Sequence, residues 1–327
     1  MKHGRCRIAS VLVAGLVPGL ALGQGAAVHG DDYPVKPVRV IVAQPAGGNA
    51  DAQARLFAAR LSESLGRQFI VDNRPGRHIA WTIAGKSPAD GYTLLAVLPD
   101  FIFAPALYSN LPVDPLKDFA PISLMTQTPY LLVVNPALPA KSVKELVELA
   151  LARPGKLNFG GGIAGTGTHL MSVLLLSLAR IQATYVPYKG AAQAISEILA
   201  GQIEAGFATA LAAQQARTGK LRALGISTAQ RSKLFPDLPT IAEQGVAGFD
   251  ARAFHGWAAP AGTPPAIISK LGAELVKAAR SPELTVAASN ENSETVGSTP
   301  EQFRQFIAAE IPRWRKLVQD SGIRVDY

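Results

Sequence analysis

The chain has 327 residues, more than one typical domain, and 48% of them are hydrophobic against 17% charged. That balance excludes a disordered chain and provides for a sizeable core. The formal charge is +8, but the basic residues are scattered, with no basic run interleaved with aromatics, which excludes a nucleic-acid partner.

Residues 1–23 read as a cleaved secretory signal peptide. Lys2, Arg5 and Arg7 form a positive start, Ile8 to Leu22 is mostly apolar, and Ala21-Leu22-Gly23 offers small residues for cleavage. A retained amphipathic anchor is the alternative. Cleavage would leave a charge of +5 and no cysteine, because Cys6 is the only one. Disulfides, thiol catalysis and cysteine-ligated metals then drop out.

Downstream, strand-like and helix-like segments alternate, the pattern of α/β layers. Val38–Ala43 reads as a strand; Asn49 then caps a helix that runs to about Leu65 and that Gly66 ends. Phe69–Val71 and Tyr92–Leu98 read as strands. A second set starts with the strand Leu131–Val134 and the helix Val143–Ala152, headed by the capping box Ser142/Glu145. Leu157–Phe159 leads into a glycine run and a helix from about Thr168 to Ala179. Thr184–Val186, Ala205–Phe207 and Leu221–Ile226 read as strands, and Ala191–Ala200 as a helix. After Pro260 the chain reads as helical: Thr263-Pro264 heads Ala266–Ala279, and Thr299/Gln302 form another capping box. This order predicts two lobes. Residues 34–127 with 229–327 form lobe 1 and residues 128–228 form lobe 2, with crossings near Thr126–Pro129 and Ile226–Thr228.

In such sheets ligands bind beyond the carboxyl ends of strands, where loops enter helices. Three loops fit. The first runs from Gln44 through Pro45, Ala46, Gly47 and Gly48 to Asp51; its glycines let backbone approach a ligand and its free N–H groups favour an anion. Asp51 either complements the helix dipole or holds waters or an amino group. The second is Gly160-Gly161-Gly162 through Gly165, Thr166 and Thr168 to His169, with two hydroxyls beside backbone N–H groups. It has neither the P-loop lysine nor the dinucleotide glycine spacing. His169 reads as catalytic or, more simply, as a satisfied structural residue. The third is Val186 to Gly190, where Tyr188 either walls a cleft or packs, and Lys189 reads as solvated charge. Thr209 and Asp100-Phe101 also follow strands. Ala80 to Ser87 is a near-miss to a P-loop, lacking the first glycine and the following helix.

Catalysis finds no support. No histidine pair has zinc-ligand spacing, no nucleophile elbow is present, and no cofactor motif appears. An enzyme on these lobes would need paired acid–base groups in an open cleft.

Ordered blocks from Tyr33 almost to the end carry a resemblance: YPVKPVRVIV (33–42), PAGG with Asp51, VDNRPG (71–76), DGYTLL (90–95), VNPALPAKSVKEL (134–146), PGKLNFGG (154–161), GTGTHL (165–170), VPYKGAAQAI (186–195) and LPTIAEQG (238–245). The chain resembles the Bug-type (Bordetella uptake gene) solute receptors of tripartite tricarboxylate transporters. The resemblance implies a type II periplasmic binding-protein fold with hinge closure. It implies a monomer in the periplasm and a small carboxylate ligand, held by backbone, hydroxyls and waters rather than by an arginine. It also implies delivery to a two-component membrane permease; a sensor partnered with a signalling protein is the alternative. Carried residue by residue, it assigns the ligand to Pro45–Gly48 with Asp51, to Gly165, Thr166, Thr168 and His169, and to Tyr188. The chain departs from the family twice. Arg77 to Thr82 replaces a turn of small residues, with Trp81 either narrowing the site or packing, and Ala208 stands where an aspartate is common.

Overall fold

The computed structural model describes Met1 and residues 32–321, so the predicted signal peptide and Cys6 lie outside the described residues. β1 (Val38–Val42), β2 (Phe69–Asn73) and β3 (Thr93–Val97) run parallel. They are linked by α1 (Asn49–Leu65) and α2 (Arg77–Gly85). α3 (Pro99–Leu107) leads away from β3, and β4 (Phe119–Pro129) is an eleven-residue strand. The chain then builds β5 (Leu131–Val134), α4 (Val143–Ala152), β6 (Asn158–Gly162), α5 (Gly167–Ala179), β7 (Thr184–Tyr188), α6 (Ala191–Leu199), β8 (Ala205–Ala208), α7 (Ala210–Arg217) and β9 (Arg222–Ile226). It returns through β10 (Arg252–Pro260), α8 (Pro265–Ala279), α9 (Pro282–Asn290), β11 (Glu294–Thr295) and α10 (Pro300–Ser321).

Two sheets result. The first has the order β11-β4-β10-β3-β1-β2 and the second β7-β6-β8-β5-β9. The first therefore draws on residues 38–129 and 252–295, the second on 131–226. Each carries helices over its faces; the inner strands β1, β3, β5 and β8 are buried almost throughout, which explains their near-continuous apolar runs, while the edge strands β2 and β7 are largely half-buried or exposed.

The capping boxes form as expected. Glu145 N–H donates to Ser142 Oγ at 3.1 Å. At α10, Gln302 N–H donates to Thr299 Oγ1 and Thr299 N–H to Gln302 Oε1. Gly66 ends α1 with a left-handed φ of 66°, as glycine permits. Asn49 differs from its expected capping role: Gly48 is the N-cap and Asn49 is the first helical residue. The elements not anticipated include α2, α3, β4, α7 and β10. α2 and α3 follow strands through Gly76 and Pro99, signals that also mark turns, and α7 begins at Thr209–Ala210 without a side-chain cap bond. β10, in a stretch for which the residue pattern predicts no element, is a central strand between β3 and β4.

The two crossings lie side by side. Tyr130 alone separates β4 from β5, and Ser227 follows β9. Ser227 N–H donates to Tyr130 O, Tyr130 N–H to Ser227 Oγ (2.9 Å), and Ser227 Oγ–H to Ala251 O (2.6 Å). One buried serine hydroxyl thus joins three backbone segments where the chain passes between sheets. Away from the crossings, α10 spans both sheets. Trp314 and Val318 belong to the apolar cluster that contains Leu170, Met171 and Phe207, and the Trp314 ring lies 4.4 Å from Phe103 of α3.

Candidate functional site

The parallel strands place their carboxyl ends on common edges. Val42 pairs with Asn73 and Ile41 with Leu95, so the loops Gln44–Gly48, Arg74–Gly76 and Leu98–Pro99 share one edge of the first sheet. Gly162 pairs with Tyr188, and Gly160 with Val186 and Gly206, so the loop before α5, the Tyr188 loop and Thr209 share one edge of the second. The edges face each other. A Cβ built on Gly165 would lie 3.1 Å from Leu107 Cδ1, 3.2 Å from Tyr108 Oη and 3.7 Å from Arg77 Nη1. The start of α2, the C-terminal end of α3 and the loop before α5 therefore meet at one seam, and the Gln44–Gly48 loop lies on the same sheet edge as α2.

The first loop is tied by its own carboxylate. Pro45, Ala46, Gly47 and Gly48 are exposed, and Gln44 is half-buried. Gly47, at φ 84°, donates its N–H to Asp51 Oδ2 at 2.9 Å, and Arg55 Nε lies 2.9 Å from Asp51 Oδ1. Burial pushes the Asp51 carboxyl up, but Arg55, the Gly47 N–H and Asn73 together hold it below its ordinary value. Asn73 also braces the loop by donating Nδ2–H to Gln44 O. Asp51 therefore stays ionised and shapes the turn. The first intrahelical bond of α1 runs from Ala52 N to Gly48 O, so the N–H groups of Gly48, Asn49, Ala50 and Asp51 precede the ladder.

The second loop is tied in the same manner. Thr168 Oγ1 accepts the Gly162 N–H at 2.8 Å, and Thr166 Oγ1 donates to Ile163 O. His169 Nδ1 accepts the Gly165 N–H at 3.1 Å. That acceptance requires a neutral imidazole with its proton on Nε2. Burial holds the His169 pKa below its usual value, and the ring packs edge-on against Tyr185 at 4.6 Å. His169 takes no carboxylate partner among the described residues, and its part in the loop is to hold Gly165. Tyr185 closes the loop from behind by donating to Gly162 O.

The remaining expected positions divide. Tyr188 is half-buried against the Leu131–Ile195 cluster, Lys189 is exposed, and Thr209 is half-buried at the start of α7. Phe101 is different: it is 2% exposed, with its ring packed on Trp81 and Phe119, so its side chain belongs to the core. Trp81 is likewise core, 1% exposed, rather than a cleft wall. Ala208 is buried in the second sheet.

Four residues at the seam escaped the sequence reading: Arg77, Leu107, Tyr108 and Tyr130. They sit at or beside the ends of α2, α3 and β4, elements the residue pattern did not disclose. Asp100, which follows β3 and could bind a ligand amine or serve a turn, is buried there too. Its Oδ1 accepts the Phe101 N–H, and Arg77 Nε stands 3.6 Å from its Oδ2. Burial pushes the Asp100 carboxyl up, against the pull of Arg77. The Tyr130 phenol is also raised, by burial and by Asp100. A groove of about 500 Å3 lies elsewhere, beside α7, lined by Arg217, Leu221, Leu234 and Phe235. No cluster of three metal-ligating side chains and no membrane-length apolar helix occurs among the described residues.

Comparisons with known proteins agree with this architecture. Residues 53–323 match the family described as "Tripartite tricarboxylate transporter family receptor". Protein BugT of Bordetella pertussis is 36% identical over 308 residues, covering 93% of this chain and 94% of BugT. A protein of the tcbD-tcbE intergenic region of Pseudomonas sp. is 33% identical over 96% of this chain and 94% of its own length. Among solved structures, Rpa4515 of R. palustris with adipate superposes with a TM-score of 0.81 at 34% identity, covering 89% of this chain and 99% of that one. MatC of Rhodopseudomonas palustris with bound malate gives 0.77 at 29% identity, over 88% of this chain and all of that one. The match over residues 53–323 and the relatives above 30% identity account for the two-sheet periplasmic binding-protein fold: the chain belongs to the tripartite tricarboxylate transporter receptor family.

Proposed function

We propose that this protein is a periplasmic receptor that captures a small carboxylate-bearing solute in the seam between two lobes, residues 34–127 with 229–327 and residues 128–228. The observation that carries the reading is the meeting of the two sheets' edges at one seam, where the loop before α5 brings Gly165 to Arg77 at the start of α2 and to Leu107 and Tyr108 at the end of α3. Backbone N–H groups that precede the helical ladders of α1 and α5 favour an anion, and the aligned peptide dipoles add to them. Gly47, Gly48, Gly165, Thr166 and Thr168 bring backbone and hydroxyl groups to the ligand, while Asp51 and His169 hold the two loops in shape. Recognition of this kind needs few charged side chains, because ordered water completes it. The adipate and malate complexes of relatives supply the ligand class.

Closure pivots on the Tyr130–Ser227 crossing, with α10 limiting the swing. The closed form is delivered to a two-component membrane permease, and the chain reaches the periplasm through a cleaved signal peptide.

A thermal-shift screen with mono-, di- and tricarboxylates and amino acids tests the reading. An acid that binds only the folded state raises the melting temperature; saturation at a hundredfold over Kd corresponds to about 2.7 kcal/mol of stabilisation. A screen in which no acid shifts the transition, at concentrations up to millimolar, refutes it.

A further inference from the structure

Arg77 is the first helical residue of α2, on the edge where β1, β2 and β3 end. Its side chain is 16% exposed, and its ion pair with Asp100 is a single approach of 3.6 Å from Nε to Oδ2. That is longer than a hydrogen bond. A guanidinium carries five N–H donors, and a structural Arg–carboxylate pair ordinarily spends two of them in a short fork. Among the described residues Arg77 spends none on a hydrogen bond. Those unspent donors stay open at the seam, where an anion can take them.

Asp100 cannot be that full counterpart. Its Oδ1 already accepts the Phe101 N–H, and its burial favours the neutral form. What Asp100 does is aim the arginine. The guanidinium faces the opposite lobe, with Nη1 3.7 Å from where a Gly165 Cβ would stand. Just beyond Gly165, the N–H groups of Gly167, Thr168 and His169 precede the first intrahelical bond of α5, Leu170 N to Thr166 O. An acidic group in the seam would thus meet the guanidinium from one lobe and a helix start from the other.

We propose that Arg77 is a specificity-determining residue: its guanidinium, aimed into the seam by Asp100, binds a second acidic group of the solute, so that the receptor selects α,ω-dicarboxylates over monoacids of the same length. The inference rests on the carboxylate-receptor reading and replaces the expectation that no arginine takes part. The start of α2 is thereby the part that reads the ligand's charge.

The test is calorimetric titration of the secreted chain with succinate, adipate and suberate, each beside its monoamide, which keeps the shape and removes one charge. The wild type is expected to bind its preferred diacid roughly 10- to 100-fold tighter than the matching monoamide, the range for a hydrogen bond to a charged group. Arg77→Gln should abolish that ratio by weakening the diacid while leaving the monoamide within about threefold. Arg77→Lys, which keeps the charge and loses the fork, should retain part of it. Equal weakening of both ligands by Arg77→Gln, or no weakening of either, overturns the inference while the carboxylate reading stands. If neither class of acid binds the wild type, the carboxylate reading itself fails and the inference with it. Should Arg77→Gln fail to fold because Asp100 is left buried alone, the double variant Arg77→Gln/Asp100→Asn removes both charges. The same ratio then decides.

Discussion

Replacing Gly165 by alanine probes the contact between the two sheets' edges directly. Gly165 has φ 79°, a left-handed conformation that costs an alanine roughly 1–2 kcal/mol. The new methyl would also stand 3.1 Å from Leu107 Cδ1 and 3.2 Å from Tyr108 Oη, closer than ordinary van der Waals contact. Both neighbours are half-buried and can give by a few tenths of an ångström, so the crowding adds about 1 kcal/mol, the low end for overpacking. The two costs act on different states. Backbone strain is present whether the lobes are open or shut, whereas crowding exists only when the edges meet. Gly248→Ala supplies the control, because Gly248 has φ 81° and nothing within 4 Å of an added Cβ. Both variants should therefore lose similar stability in thermal melts of the ligand-free protein, if the free protein is open. Only Gly165→Ala should weaken binding of the acid that gives the largest melting shift, by about fivefold, since 1.4 kcal/mol corresponds to tenfold. Identical affinities for the two variants by calorimetry would refute the reasoning, because the seam would then not close on the ligand at Gly165.

Four further outcomes are expected. Burial pushes the His255 pKa down to about 4 from 6.5. The unfolded imidazole takes its proton near pH 6.5 and the native one only near pH 4, so stability is complete above pH 6.5. It falls by roughly 3 kcal/mol as the pH drops through that window. Chemical denaturation of His255→Gln across pH 4–7 should show a flatter slope, and an unchanged slope would contradict the assignment. Gly206→Ala would set its Cβ against the Gly160 carbonyl across the β6–β8 pairing, where backbone cannot yield, and should cost about 3 kcal/mol in urea melts. Ser227→Ala strips the bonds to Tyr130 N–H and Ala251 O at the crossing and should cost roughly 1–3 kcal/mol, read by the same melts. Asp51→Asn frees the Gly47 N–H from its carboxylate and loses the Arg55 pair; weakened acid binding with a stability loss of about 1 kcal/mol is expected by calorimetry and thermal melting.

The residue pattern alone determined the strands and helices whose signals are local. Ser142/Glu145 and Thr299/Gln302 mark helix starts because the bonds that cap them close within four residues, and Gly66 ends α1 because only its own φ is at issue. The α/β alternation and the ordered blocks also disclosed the family. α2 and β10 stayed hidden, since Gly76 and the stretch after Asp250 carry turn signals that packing overrides. The seam stayed hidden for a stronger reason. Arg77 and Gly165 are 88 positions apart, and no local rule says that a helix start in one sheet will face a helix start in the other. Likewise, Phe101 and Trp81 could each have walled a cleft, and only the packing of α2 on α3 sent both rings into the core. The loops proposed to enclose an anion are thus written in glycines and threonines, whereas the side chain proposed to read the rest of the ligand is decided by which edges the two sheets turn toward each other.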